Sequence, residues 1–547
     1  MSGHLDTPEI LDLICNHAGI AASSNLLRVN KRFFSVAVPF VWKSIDSPLY
    51  LLALIPDLDF DKIGNNPMKC QYEIVLPPHA TADFTRFDLY ARHVRSFDIH
   101  RARYKVMEWA TLILRSKVGP LLPGLLKLSI WSMPLFHDGS FAEELMWARV
   151  FLAQSVTSVR FCREMGIWAP FAPRQTVLSL LDTIHKTCPN VDNLALPSIS
   201  QNAEFVSLPL PGMPPRRLEN YLSHFSGLRV LKVGIWIFAQ DIAHVLGSLT
   251  QLNELFLHPE EEPLPLPDVS PFDDNAFPSL RKLSFFCVEW ESVCTLLEYP
   301  SLTRNITYFR IDCALESDEV SMHNTRALSL IRNMPALQEV KIIFDEMDAP
   351  YDLDIDDFEG SLSEIPLQTV RIVAAIFSSF SSIPFQDVFS EVTTLELPNQ
   401  IIDLLELTWL ATMPKLEYLN IAFSDGEEET NWLVENHSSC PTFRTLEISI
   451  DFAEDENEES VEIYPVNLTH TAAAYLLKLF PNIERIIWPF VDERTYEYQR
   501  IHVLNTRIVT IRRWNQVRAR IAERYGSEIA DSVIKDDDLS HTFDALS

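Results

Sequence analysis

Side chains able to do covalent or metal chemistry are spread along this chain of 547 residues rather than grouped. Its eight cysteines include no Cys-x-x-Cys pair, and its fifteen histidines do not cluster with carboxylates or cysteines at zinc-site spacing. There is no Gly-x-x-x-x-Gly-Lys or Gly-x-Gly-x-x-Gly phosphate loop, no Gly-x-Ser-x-Gly elbow and no His-Glu-x-x-His helix. We therefore predict a chain that is not an enzyme and that uses no cofactor or metal ion.

One acidic segment has part of the pattern of a calcium loop. Asp352, Asp354 and Asp356 alternate as the first ligands of such a loop do. The sharp turn that follows needs glycine, and the twelfth position needs a bidentate glutamate, but the chain has Asp357 and Ser363 there. Calcium binding is not expected.

Three basic residues, Arg310, Lys341 and Arg371, occupy equivalent positions in successive copies of a repeat. If these copies form neighbouring strands about 4.8 Å apart, the three cations lie side by side and need an anion across them. The chain itself is one source, through Asp312, Glu339 or a nearby acidic loop. The other source is an acidic or phosphorylated segment of a bound target.

The repeat that positions these cations is an apolar residue, two variable residues, an apolar residue, one variable residue and a last apolar residue. The last three positions alternate as a short strand does. The spacing, roughly 24 to 40 residues, is typical of long leucine-rich repeats. The first apolar position recurs at residues 94, 125, 156, 191, 228, 252, 280, 306, 337, 367, 392, 416, 443 and 483.

Proline stands two residues before the first apolar position in several copies and favours the end of a helix there. Helix-like runs precede some of these prolines, as at residues 400–413 and 469–480. Where regular repeats have Asn or Cys in the following turn, this chain has other residues, so its turn N–H groups must be satisfied differently. We predict an α/β fold, an irregular leucine-rich-repeat solenoid at residues 91–490.

The first 48 residues predict a compact helical module ahead of the repeats. Thr7 and Pro8 suit the start of one helix, and Asn30 suits the N-cap of a second, whose middle is made irregular by Pro39. So short a segment has too little interior for its apolar side chains, so it needs a partner surface. A distinct pattern is formed by Leu5, Pro8, Glu9, Ile10, Leu11, Ile14, Leu26, Leu27, Val29, Asn30, Arg32, Phe33, Ala37 and Trp42.

This pattern resembles the F-box family, whose sequence opens with Leu-x-x-Pro-Glu-Ile-Leu and closes with Arg-Phe and Trp. The resemblance implies a module that docks on the Skp linker subunit of a cullin-RING ubiquitin ligase, while the rest of the chain holds a substrate. A helical cap that seals the first repeat is the alternative. The linker-binding residues that the resemblance implies are Leu5, Pro8, Ile10, Leu11, Ile14, Leu27, Val29, Phe33 and Trp42.

Charge and hydropathy limit the classes of partner and the cellular locations that we expect. The formal net charge of −30 repels phosphate backbones and anionic membranes, so neither a nucleic-acid partner nor a membrane is expected. The sequence shows neither a signal-peptide pattern nor an apolar run long enough to span a bilayer. The cytoplasm, the nucleus or both are predicted as the location. Two acidic stretches, residues 345–360 and 451–462, are interpreted as solvated loops.

The segments around the repeats complete the predicted organisation. Residues 49–90 connect the helical module to the repeats, and residues 491–547 contain an amphipathic, arginine-rich helix and a tail. That helix is interpreted first as a cap on the last repeat, with partner recruitment as the alternative.

The leading functional hypothesis is a substrate-receptor subunit of an SCF-type ubiquitin ligase that binds an unidentified protein target. The alternative is a leucine-rich-repeat scaffold or inhibitor-type binding module outside any ligase.

Overall fold

The chain divides into two compact units, Met1–Ala314 and Leu315–Ser547. Each is described by itself. The structure, a computed structural model, describes residues 7–63, 71–100, 104–132, 141–163, 171–200, 219–238, 243–259, 266, 272–312, 326–344, 351–353, 362, 364–377, 380, 385–402, 406–423, 438–449, 470–487, 505, 508–509, 512 and 516.

The first unit begins with two helices that meet at a capped turn. The first helix opens with Pro8, has its kink at Gly19 (φ 72°) and follows Thr7, whose side chain makes no capping bond. The Oδ1 atom of Asn30 accepts hydrogen bonds from the backbone N–H groups of Arg32 and Phe33 at 2.9 and 3.0 Å, which confirms the predicted cap. The helices of this unit are α1 (Pro8–Leu26), α2 (Lys31–Val41), α3 (Pro48–Leu52), α4 (Thr85–Ala91), α5 (Ala110–Val118), α6 (Ala142–Phe151), α7 (Arg174–Thr187), α8 (Glu219–Leu222), α9 (Ala243–Gly247), α10 (Trp290–Leu297) and α11 (Pro300–Thr303), with a 3-10 helix at Ile235–Phe238.

The strands of the first unit form one long parallel sheet and two small sheets. In the long sheet the order is β1-β4-β6-β7-β9-β11-β12-β13-β14, so neighbours in space follow one another along the chain. The small sheets are β2-β3-β5 and β10-β8. The strands are β1 (Ser44–Ile45), β2 (Asp59–Ile63), β3 (Gln71–Val75), β4 (Ser96–His100), β5 (Tyr104–Val106), β6 (Lys127–Ser132), β7 (Ser158–Arg163), β8 (Phe171–Pro173), β9 (Asn193–Ala195), β10 (Ser198–Ser200), β11 (Val230–Gly234), β12 (Glu254–His258), β13 (Lys282–Phe286) and β14 (Tyr308–Asp312).

The second unit repeats this plan. Its parallel strands have the order β15-β17-β19-β20-β21-β22, and β16 pairs with β18. The strands are β15 (Glu339–Ile343), β16 (Tyr351–Leu353), β17 (Thr369–Val373), β18 (Ala375–Phe377), β19 (Thr394–Ile402), β20 (Tyr418–Phe423), β21 (Thr445–Ser449) and β22 (Arg485–Ile487). The helices are a 3-10 helix at Ile331–Asn333, α12 (Phe385–Val388), α13 (Leu407–Leu410) and α14 (His470–Leu479).

Inward side chains of successive strands stack into the core of each unit. Leu255 pairs in register with Leu283, and Leu283 with Phe309, and all three are buried. In the second unit Leu395 and Leu419 do the same. A buried Leu or Phe side chain contributes about 1.5–3 kcal/mol, but only a neighbouring strand supplies the surface that buries it. Each unit is therefore a stretch of α/β leucine-rich-repeat solenoid.

The strand positions confirm the repeat predicted from sequence. Each predicted copy has its strand two residues after its first apolar position, as at residues 96, 254 and 485. Strand β1 and the sheet β2-β3-β5 were not predicted. The run at residues 400–413 was predicted as helix, but Gln400–Ile402 belongs to β19, and of the residues described after it Leu407–Leu410 are helical.

Side-chain amides satisfy two backbone N–H groups of the second unit, one between β17 and β18 and one at the end of β18. The N–H of Ala374 donates to Asn399 Oδ1, and the N–H of Phe377 donates to Gln400 Oε1, both at 2.7 Å. Gln400 is buried and lies where a regular repeat has Asn or Cys. This explains why the strand continues through residue 400, since the amide is held against the preceding repeat.

Candidate binding faces

The N-terminal helices leave apolar side chains in solvent. Ile10, Leu13, Ile14, Ile20 and Val29 are each between 36% and 62% exposed, and we call these five residues the N-terminal apolar patch. Leu13 and Ile14 lie three and four residues after Ile10, so the three side chains share one face of α1. Of this patch, the sequence comparison with the F-box pattern selected Ile10, Ile14 and Val29. It missed Leu13 and Ile20, although the helical spacing from Ile10 to Leu13 was visible.

An adjoining face of α1 packs inward. Leu11 is 1% exposed and Cys15 is also buried, four residues further along the helix. The Ser23 hydroxyl donates to the Cys15 carbonyl at 3.3 Å and holds the two parts of the kinked helix together. Leu11 was predicted to bind the linker directly. Its side chain lies in the interior of the described fold, where it contributes to packing, and a direct contact with the linker stays a prediction.

The other predicted linker-binding residues have mixed positions. Leu5 lies outside the described residues, and Pro8 is the first residue of α1. Leu27 and Phe33 are half-buried. The ring of Trp42 stacks on Tyr90 of α4 with centroids 4.5 Å apart, so it anchors the helix pair to the rest of the first unit.

The sheet of the first unit presents a column of side chains between its core positions. Register pairs join Asp98 to Ser129, Ser129 to Arg160, and so on along the unit. We call this column the first strand face: Asp98, Ser129, Arg160, Ala195, Lys232, Phe256, Ser284 and Arg310. Each residue from Ser129 onward lies four residues after the first apolar position of its repeat copy, so the repeat register predicts this column.

Arg310 is neutralised within the first unit. Its guanidinium donates to both carboxylate oxygens of Asp312, at 2.7 and 2.6 Å, and lies over the Phe286 ring at 4.8 Å. The hydrogen bonds to Asp312 raise the pKa of Arg310. This confirms Asp312 as an own-chain anion, one of the two sources that the sequence left open.

The surroundings of Lys232 and Arg160 differ from those of Arg310. Lys232 Nζ lies 4.4 Å above the centre of the Phe256 ring, and burial lowers the pKa of Lys232, with the Arg160 charge acting in the same direction. Among the described residues, no carboxylate forms an ion pair with either cation. Arg160 Nε is buried without a hydrogen-bond partner.

The second unit has a corresponding column, which we call the second strand face: Lys341, Arg371, Glu396, Asn420, Glu447 and Ile487. Arg371 pairs with Glu396 at 2.9 Å. Burial raises the pKa of Glu396 and outweighs the Arg371 charge that lowers it. The Tyr418 hydroxyl donates to Glu447, and the Asn420 amide donates to the same carboxylate at 3.2 Å.

The three cations predicted as a ladder are thus divided between the units. Lys341 and Arg371 are neighbours in register, as predicted. Arg310 belongs to the first unit. Arg371 has an own-chain carboxylate partner, Glu396 of the next strand, which was not among the predicted anions.

The described residues include few groups suited to covalent or metal chemistry. The six described cysteines form no disulfide, and burial raises the pKa of the Cys188 thiol to about 12, which disfavours the thiolate. Within the described ranges no cluster of three His, Cys, Asp or Glu side chains could hold a metal ion. Of the Asp352, Asp354 and Asp356 series only Asp352 is described. None of the described helices is both long and apolar enough to cross a membrane.

The comparisons with known proteins gave no sequence relative. No protein-family model matches the chain, and no curated protein matches it. Solved structures similar to the chain include the TLR13–ssRNA13 complex, at 13% identity over 66% of this chain with a TM-score of 0.37. The match covers 46% of the TLR13 chain, so this chain spans less than half its length. An internalin (InlF) from Listeria monocytogenes strain 4b F2365 matches at 13% identity over 62% of this chain and 87% of its own, with a TM-score of 0.28.

Proposed function

We propose that the protein is a non-catalytic adaptor that binds other proteins, with its N-terminal helices docking on the Skp linker subunit of an SCF-type ubiquitin ligase. The repeats then hold a protein target, and other subunits transfer ubiquitin. The cytoplasm or the nucleus is the corresponding location.

The N-terminal apolar patch carries this proposal. Leu13 and Ile20 are more than half exposed, while Leu11 and Cys15 on an adjoining side of the helix fill the interior. One helix therefore has two apolar faces, of which only one is used within the described fold. An exposed apolar helix face is suited to a hydrophobic groove on a partner, and the F-box-like sequence indicates which partner that is.

Substitutions on the exposed face test the proposal without unfolding the helix pair. In the full-length protein, Leu13→Asp with Ile14→Asp places two carboxylates in the docking face, where burial without a partner costs several kcal/mol. We expect at least a hundredfold weaker binding to a purified Skp-type linker, measured by isothermal titration calorimetry. The matched control is Leu114→Asp with Val118→Asp, which changes two exposed apolar residues of α5.

The control variant should bind the linker as wild type does. Equal binding by wild type and by the Leu13/Ile14 variant would exclude the patch as the docking site. No capture of linker or cullin by wild type would exclude the ligase assignment.

A scaffold outside any ligase is the second candidate, and one observation favours it. Strand β1 follows α2 directly and pairs with β4, at Ser44 with Ser96 and Ile45 with Phe97. Together with the Trp42–Tyr90 stack, this makes the helix pair continuous with the first repeat, as a terminal cap would be. Linker binding separates the two candidates, since a cap alone gives none.

A further inference from the structure

Two cations of the first strand face, Arg160 and Lys232, form no ion pair with the residues that the structure describes. Arg160 and Lys232 each lie one strand from Ala195, whose small side chain separates them. The neighbouring carboxylates are already engaged, because Glu254 pairs with Lys282 at 2.9 Å and Asp312 with Arg310. Asp98 lies two strands from Arg160 and forms no ion pair with it.

Buried polar groups around these cations also lack partners. Arg160 Nε, His258 Nδ1 and Ser284 Oγ are buried and make no hydrogen bond to any described residue. His258 is 7% exposed and Ser284 is fully buried. Buried polar groups are usually hydrogen-bonded, so this part of the face has polar groups that the described side chains leave unsatisfied.

An aromatic surface adjoins the cations. The rings of Phe256 and Phe286 stack with centroids 6.0 Å apart, and His258 stacks on Phe286 at 5.4 Å. Phe256 remains half-exposed beneath Lys232. Such a face offers an apolar contact beside a positive charge, which suits a ligand that carries acidic and apolar side chains together.

We infer that the first strand face binds an acidic segment of a partner protein, with one carboxylate on Arg160, a second on Lys232 and an apolar side chain on Phe256. Two strand spacings, about 10 Å, separate the backbones of the two cations. That separation favours two singly charged carboxylates on an extended segment over a single phosphate. The inference rests on the proposed function only in that the repeats hold a partner, and it does not require a ubiquitin ligase.

A defined peptide tests this inference on the full-length protein. The probe is fluorescein-labelled Gly-Glu-Ser-Glu-Ser-Phe-Gly, in which both glutamates and the phenylalanine lie on one side of an extended chain. Fluorescence anisotropy should give saturable binding that weakens as salt rises. Replacement of both glutamates by glutamine should weaken binding at least tenfold, since it removes the charge-assisted hydrogen bonds to Arg160 and Lys232.

Double variants test whether the peptide binds at Arg160 and Lys232. Arg160→Gln with Lys232→Gln should raise the peptide Kd at least tenfold, whereas Arg86→Gln with Lys117→Gln, which removes the same charge from exposed positions of α4 and α5, should leave it unchanged. Arg160→Glu with Lys232→Glu should prefer a peptide with lysine in place of glutamate. This reversal depends on side-chain charge at the two positions and not on stability.

Several results would overturn the inference. These are no saturable binding up to about 1 mM peptide, equal binding of the glutamine peptide, or equal binding by the Arg160/Lys232 and Arg86/Lys117 variants. A peptide with phosphoserine at both glutamate positions that binds more than tenfold tighter would show a phosphate reader instead. Linker binding is measured in parallel, so loss of the ligase assignment leaves the peptide result standing, and the reverse.

Discussion

At the residue scale, the strand faces are distinguished by whether the fold neutralises their charges. Arg310 and Arg371 each have a carboxylate partner, while Arg160 and Lys232 have none among the described residues. The repeat register placed all four cations in the right columns from sequence alone. It could not show which were paired, because ion pairing depends on rotamers and on cross-strand neighbours such as Glu396.

His258 makes the stability of the first unit depend on pH. Burial and the nearby Lys232 charge lower the pKa of His258 to about 4, against 6.5 in the unfolded chain. Between these values the unfolded state binds the proton and the folded state does not, so the free energy of unfolding falls as pH falls from about 6.5 to 4. The loss from this one group is at most about 3 kcal/mol.

The His258→Asn variant isolates this contribution. We expect its melting temperature to fall less than that of wild type between pH 7 and pH 4.5, because the variant has no imidazole to protonate. Carboxylates titrate in both proteins and cancel in the comparison. Parallel melting curves over this range would contradict the role of His258.

At the element scale, sequence periodicity predicted most of the sheet because one strand recurs with each apolar phrase. It failed for β1, which has only two residues and is fixed by pairing with β4. It also failed for the sheet β2-β3-β5, where β2 is exposed along its length and shows no alternation of burial. In α1 the apolar positions were recognised, but the inner face with Leu11 was not separated from the outer face with Ile14.

The Asn30 cap is the element-scale feature on which α2 depends. Asn30→Ala removes the acceptor for the N–H groups of Arg32 and Phe33, so we expect a loss of about 1 kcal/mol in the free energy of unfolding. Asn30→Asp keeps the acceptor and should lose much less. Hydrogen exchange in α2 would report the change locally, and equal protection in the alanine variant and wild type would refute it.

At the scale of the whole molecule, repeats depend on their neighbours, so the ends of a sheet need separate protection. In the second unit, β22 is the last strand of the sheet. The Asn505 amide lies against it, with its Nδ2 donating to the Ile486 carbonyl at 3.0 Å and its Oδ1 accepting from the Ile486 N–H at 2.9 Å. A single side chain thus occupies the place of a further strand, and Ile508 is buried nearby in the sequence.

The C-terminal segment is therefore predicted to protect this edge. Truncation after residue 490 removes Asn505 and Ile508, which should expose the β22 edge and apolar surface, lower the melting temperature and promote aggregation seen by light scattering. Asn505→Ala is the finer test, because it leaves both Ile486 backbone groups without their partner at a cost of about 1–3 kcal/mol. Asn505→Asp retains the acceptor and should fall between alanine and wild type. A truncated protein that stays monomeric with an unchanged melting temperature would mean that the edge is stable without this segment.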